Sequence, residues 1–471
     1  MTFENPKARL LPLYLRSADD PDFVAHVQML AEQLGEVATL LPPRQLGPPI
    51  EGTGAGLDAG TGTVLDAGTG AGPEAVADAD AVVFPVLTGD IYRNIPAMRA
   101  IELPVLILTS DFATMAMWDW EIISYLRAEG IDVLAPYSLD VCLATCRALA
   151  AKRRLRQSKF IVYQDEPGKA GKQPAIFRRF YWWEDECTQR ISVKFGLRID
   201  KRSFRELGAR ARAVRDDAVE QRRQAESRDF DGLSVGAGLS ALKLYQAVRD
   251  DLDSESDVAA IGINCLNESE YSDTTPCLAW DLLFQERELI WGCEADTLSM
   301  LTKYLLFNTL RAPVMMTNLY PFLMGQAALQ HERIPSFPEV DEPANYVLAA
   351  HCGYLGVLPR PFAQQWRLRP RALEIVDPNA VAIDAQLPTG ALTLAKLSPD
   401  VSTIVIVEGE LAGYVGYPGS DCRNGALIHV PDGHALMDGL PSHHSILVTG
   451  HHLAAVKAVG EIFGLAVQTL A

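Results

Sequence analysis

Residues 291–318, WGCEADTLSMLTKYLLFNTLRAPVMMTN, decide how this chain is read. A short apolar run ends on the acidic pair Glu294 and Asp296, a helical stretch follows, and a second apolar run ends on the polar Asn318. The pattern predicts strand, amphipathic helix, strand. Such a unit sets the carboxyl ends of two parallel strands side by side, where α/β proteins place their chemistry. A residue between a buried strand and its helix points into the crevice above the sheet, which makes Glu294 a candidate functional carboxylate. Asp296 is either a second site residue or the cap of the helix, a position that acids favour.

Outward from this stretch the alternation continues in both directions. Upstream, RLLPLYL, AVVFPVLTG, LPVLILTS, IDVLAPYS and KFIVYQ read as buried strands. PDFVAHVQMLAEQLG, WDWEIISYLRAEG and LDVCLATCRALAAKRRLR read as the helices between them. Regular alternation predicts a doubly wound, Rossmann-like α/β domain over residues 1–166. A second one follows over 167–325, opening on FRRFYWWEDECTQR and the strand candidate ISVKFGLRI. Beyond it, Pro and Gly become frequent and YVLAAHCG, GALTLAKL, TIVIVEGEL and GALIHV alternate with turns. Residues 326–471 are therefore expected to form a β-rich, barrel-like C-terminal domain that closes with the helix HLAAVKAVGEIFG.

Residues 52–75 read GTGAGLDA, GTGTVLDA, GTGAGPEA. A dinucleotide fingerprint needs a strand directly before it, a helix directly after it and G-x-G-x-x-G spacing. Here the unit repeats in tandem behind a Pro-rich stretch, so the expectation is a disordered insert in the first domain.

Composition narrows the partners. A chain of 471 residues with 48% apolar and 22% charged residues has the make-up of a multidomain globular protein. The formal charge of −18 gives no basic face for phosphates, which argues against nucleic acid. No apolar run is long enough to span a bilayer. The N-terminus carries acids and a proline where a secretory signal needs an apolar core. Eight cysteines without paired CxxC spacing are expected to be structural thiols in a reduced, cytoplasmic setting.

Histidines supply the remaining candidates. His443 and His444 lie before ILVTG, and adjacent side chains on an extended segment face opposite ways, so at most one points into a site. His351, after an apolar run, is either a core or a site residue. The aromatic run Phe180–Trp183 either packs in a core or stacks on a ligand.

Several of these segments together resemble the L-fucose/L-arabinose isomerase family. CEADTLSMLT is similar to its strand–helix junction with a metal-binding glutamate, VLAAHCG to its His-Cys element, and ISVKFGLRIDKRSFREL to the opening of its second domain. GALTLAKLSPDVSTIVIVEGEL followed by LPSHHSILVTGHH resembles its C-terminal barrel with a metal-binding histidine. The resemblance spans scattered motifs over roughly residues 185–471. It implies two α/β domains before a β-rich one, and aldose–ketose isomerisation of a pentose, hexose or deoxysugar through a metal-stabilised enediol. It further implies Mn²⁺ or Mg²⁺ as cofactor, a small carbohydrate as partner, and a homo-oligomer. By position Glu294 would be a metal ligand and acid–base residue and His444 a ligand. His351 would be a ligand or substrate contact, with His443 and Asp296 beside the substrate. The family's second metal carboxylate falls at Asn318, which keeps an amide oxygen but loses one negative charge. That departure implies weaker metal binding, or recruitment of Asp296 as a replacement ligand. It also keeps open a sugar-binding protein that lost the reaction, or an epimerase or lyase on the same fold.

Overall fold

The computed structural model describes residues 6–46, 78–87, 89–109, 112, 117–166, 180–225, 230, 232–321, 336, 338–351, 358–370, 380–417 and 424–470. The repeat at 52–75 lies outside the described residues. The chain divides into two compact units, residues 4–154 with 457–462, and residues 155–456 with 463–471.

The first unit holds a parallel sheet. Its strands are β1 (Ala8–Tyr14), β2 (Ala38–Leu40), β3 (Arg44–Gln45), β4 (Ala81–Phe84), β5 (Val105–Ile107) and β6 (Val133–Leu134). They run in the order β2-β1-β4-β5-β6, with β3 also paired to β1. Helix α1 (Pro21–Leu34) starts where Asp20 accepts the Asp22 N–H and Pro21 supplies a ready-made helical φ. Phe23, Leu30 and Leu34 form its buried stripe. Helices α2 (Ile95–Arg99), α3 (Met117–Ala128) and α4 (Leu139–Gln157) complete the series.

The second unit begins with β7 (Lys159–Tyr163), β8 (Arg198–Arg202), β9 (Val258–Ile263) and β10 (Ile290–Cys293). These form a second parallel sheet in the order β10-β9-β7-β8. Thus KFIVYQ, grouped above with the first series, pairs instead with β8 and β9. The segment ISVKF is helical, not extended. It ends α5 (Asp185–Phe195), whose Cys187, Ile191 and Phe195 recur every fourth residue on a buried stripe, and Gly196 closes it in the left-handed region at φ 69°. Next come α6 (Phe204–Ala213), capped by Ser203 through the Glu206 N–H, then α7 (Asp216–Ala225), α8 (Val235–Asp253) and α9 (Cys277–Arg287).

Helix α10 (Thr297–Leu310) corrects the reading of the opening stretch. It is not amphipathic: its residues are buried on nearly every side, from Thr297 through Phe307. A helix that is apolar all round must be covered all round. One side packs on β9 and β10, and the other meets β11 (Val314–Pro321), which belongs to a different sheet. Strand β11 is therefore not the parallel neighbour of β10; it is antiparallel to both of its own neighbours.

That other sheet is a closed six-stranded barrel. After β11 come β12 (Tyr346–Ala350), a separate hairpin of β13 (Gln365–Pro370) and β14 (Val381–Gln386), then β15 (Gly390–Leu397), β16 (Thr403–Val415) and β17 (Gly425–His429). Helix α11 (Gly433–Gly439), strand β18 (His444–Thr449), helix α12 (Leu453–Phe463) and strand β19 (Ala466–Thr469) finish the chain. The barrel runs β15-β18-β11-β12-β17-β16 and closes through β15–β16 pairing. The chain thus ends on β19, paired in parallel with β16, and not on the expected helix. Mixed helices and sheets, two parallel sheets and a C-terminal barrel are as the sequence predicts.

Candidate metal centre

Strand β10 ends at Cys293, and the chain then turns through two left-handed residues, Glu294 at φ 54° and Ala295 at φ 51°. Neither is glycine, so each costs about 1–2 kcal/mol of backbone strain. The turn is pinned at several points. The Ala295 N–H donates to the Ile263 carbonyl at 3.1 Å, and the Asp296 N–H to the Cys293 carbonyl at 3.1 Å. The Trp183 indole Nε1–H donates to the Glu294 carbonyl at 2.7 Å. Two glycines make room beneath it. A Cβ on Gly262 would lie 3.2 Å from the Ala295 Cα, and one on Gly292 would lie 2.3 Å from the Met300 Cγ.

The barrel brings the other groups. Asn318 on β11 lies directly opposite His444 on β18 and, on its other side, directly opposite Ala350 on β12, the residue before His351. Directly opposed residues in an antiparallel pair share a face. Glu294, His351 and His444 are all buried, and each offers a ligand atom lying within 4.8 Å of the others'. The His444 Nε2 stands 3.6 Å from the Glu294 Oε1.

Behind His444 lies a buried polar chain. Its Nδ1 is 2.9 Å from the Asp296 Oδ2; an ionised carboxylate only accepts, so Nδ1 carries the proton and Nε2 faces Glu294. The same Oδ2 accepts from the Lys396 Nζ at 2.7 Å and from the Ser299 hydroxyl at 2.7 Å. The Asp296 Oδ1 takes the Ser299 N–H at 2.8 Å, capping α10. Asp296 is thus both the helix cap and the partner that orients His444, and it is not in the converging group. The recruitment of Asp296 implied above is not seen in the converging group, whose third member is His351.

Electrostatics follow from burial and pairing. Burial alone would raise the Glu294 carboxyl, but His444, then His351 and His443, hold it below its ordinary range. Burial likewise opposes ionisation of Asp296, and Lys396 and His444 outweigh it, leaving the carboxyl well below its usual value. Burial lowers the Lys396 amine, which has Asp296 as its chief opposing partner. His444 is raised: desolvation works against its cation, and Glu294 and Asp296 more than offset it. His443 is exposed, with its ring 4.2 Å from that of His444; desolvation by the surrounding protein, and then the neighbouring imidazole, push its pKa down to about 3.

A metal ion fits this arrangement. His444 Nε2 and Asn318 Oδ1 are buried atoms with no hydrogen-bond partner among the described residues, a costly condition unless another ligand takes them up. One carboxylate and two imidazoles could serve as a divalent-ion donor set, with the Asp296 carboxylate already in place behind His444. The aromatic run packs and does not form an open stacking face. Trp182 lies between Phe180, stacked at 4.4 Å, and His444 at 5.0 Å.

Reasoning from sequence missed Lys396 and Ser299, and it named Trp183 only within the aromatic run, without its bond to the Glu294 carbonyl. Lys396 is a lone cation in the apolar strand GALTLAKL, and a lysine there demands a buried partner. Trp183 has no comparable signal. The described cysteines are buried and none of them is in a disulfide, as expected of structural thiols. No helix among the described residues is long and apolar enough to cross a membrane. A scan against protein-family models finds no match for the chain, and neither does a search of curated proteins.

Proposed function

We propose that this chain is a divalent-metal-dependent aldose–ketose isomerase acting on a pentose, hexose or deoxysugar, as the family it resembles would imply. The observation that carries the proposal is the convergence of Glu294, His351 and His444 from two different sheets on one buried centre. Glu294, His351 and His444 would hold the metal, which would supply Lewis-acid stabilisation of the negative charge that develops on the sugar oxygens. Glu294, kept ionised by the imidazoles around it, is the group that accepts a proton. A carboxylate has two oxygens, so it can ligate with one and carry the proton between adjacent carbons with the other. Asp296, held by Lys396, keeps the His444 Nε2 turned toward the centre. Burial of the three donors excludes water from the transferred proton.

Two imidazoles weigh against Mg²⁺, which favours oxygen donors, and leave Mn²⁺ as the proposed ion. A cytoplasmic homo-oligomer is part of the same reading. The test is elemental analysis of the purified protein, followed by deuterium uptake from solvent into a panel of aldoses and ketoses with Mn²⁺ present. Uptake and net interconversion, both lost in Glu294→Gln, are expected. No bound metal and no exchange across the panel would remove the isomerase reading.

Asn318 favours a second reading, a sugar-binding protein without turnover. The half-buried Asn318 donates its Nδ2 to the Tyr320 hydroxyl at 3.2 Å and has no negative charge to give. Sugar-dependent thermal stabilisation that ignores chelators would support it.

A further inference from the structure

We infer that Trp183 is a positioning residue of this centre. Its indole N–H holds the backbone of Glu294 in the left-handed turn that aims the carboxylate at His351 and His444. The inference rests on the metal-centre reading above.

A carboxylate donor is only as well placed as the backbone that carries it. Glu294 and Ala295 both sit at positive φ without being glycine, so the turn is not the conformation that this dipeptide would choose alone. The Ala295 and Asp296 N–H groups tie down the far side of the corner. On the near side, the Glu294 carbonyl is met by the Trp183 Nε1–H at 2.7 Å, a buried bond. If the corner relaxed toward an ordinary φ, this carbonyl would swing away and the side chain would leave His444.

Trp183 is itself braced from two directions. It ends the short 3-10 turn Tyr181–Trp183, and its own carbonyl accepts from the Lys201 Nζ at 3.2 Å, while that amine also pairs with Asp185 at 2.6 Å. The preceding Trp182 carbonyl accepts from the Thr297 hydroxyl at 3.0 Å, so the same turn grips the first residue of α10. Strand β8, the aromatic turn and the corner after β10 form one chain of hydrogen bonds ending on a metal donor. Sequence neighbours alone do not make this link, because the turn lies far from Glu294 along the polymer.

Three proteins are compared: wild type, Trp183→Phe, which keeps an aromatic ring without the N–H, and Trp183→His, which returns an N–H on a smaller ring. Mn²⁺ affinity is measured by electron paramagnetic resonance titration. Amide hydrogen exchange is followed across residues 291–299, with thermal unfolding of the metal-free proteins alongside. The expected result is about a tenfold or greater loss of Mn²⁺ affinity in Trp183→Phe, within the range for lost outer-shell partners, and faster exchange in that peptide. Trp183→His should recover part of both. Wild-type affinity and exchange in Trp183→Phe would overturn the inference. Equal losses in Phe and His would also overturn it, since bulk alone would then explain them. If wild type takes up no Mn²⁺, the metal reading falls by itself. The exchange comparison then still decides whether Trp183 holds the corner, and unchanged exchange in Trp183→Phe would overturn that.

Discussion

Asn318 and His444 face each other as directly opposed partners on β11 and β18, and the buried amide oxygen of the first has no hydrogen-bond partner among the described residues. A carboxylate at that position would add a negative charge beside an imidazole donor. Asn318→Asp is expected to tighten Mn²⁺ binding by about tenfold, equivalent to ~1.4 kcal/mol. Isothermal titration of metal-free protein checks it; equal or weaker binding would mean that residue 318 does not share the centre.

Glu294→Gln preserves shape and removes the charge. Proton exchange into sugars should fall by roughly 10²–10⁴-fold, the usual worth of a positioned acid–base group. Mn²⁺ affinity should fall with it. Activity that survives this change would assign the proton transfer elsewhere.

Asp296 and Lys396 are a fully buried ion pair. Removing one partner strands the other. Asp296→Asn or Lys396→Met alone should therefore lower stability by about 3–5 kcal/mol in chemical denaturation. The double variant Asp296→Asn/Lys396→Met should recover much of that loss. It should still bind Mn²⁺ some 10–100-fold more weakly, because His444 loses its orienting carboxylate.

Lys303 supplies a pH-dependent test away from the donors. It is wholly buried in α10, its Nζ has no hydrogen-bond partner among the described residues, and it lies 2.8 Å from the centre of the Trp291 ring. Burial drives its pKa well below 10.5, with the Cys293 thiol a small opposing influence. A folded pKa below the unfolded one means that the unfolded chain binds the extra proton between the two values. Stability should therefore climb with rising pH over that interval. Lys303→Met should flatten the slope and raise stability at neutral pH by roughly 1–3 kcal/mol. Parallel pH profiles for the two proteins would refute the buried neutral amine.

Much of the centre was legible because strand–helix junctions advertise themselves. Glu294 followed from its place between a buried run and a helix, and Asp296 as a cap followed from residue type. The β-rich texture beyond residue 345 announced the barrel strands β15, β16 and β17. What stayed hidden was which sheet β11 would join. A strand buried on both faces reads alike in a parallel sheet and in a closed barrel, so VMMTN carries no mark of its direction. The neighbouring helix did carry one. TLSMLTKYLLFNTL has almost no polar face, and a helix without one must be sandwiched. Trp183 was illegible for another reason: its partner is a backbone carbonyl, which leaves no trace in side-chain composition.

Helix α10 has a consequence for how this molecule would come apart. It is the filling between the parallel sheet and the barrel, and the three converging residues are divided across that seam, Glu294 on one side and His351 and His444 on the other. An ion held there would act as a rivet through both layers. Stripping it out should be felt first as slackness along the joint, while the barrel staves and the parallel strands each keep their own pairing.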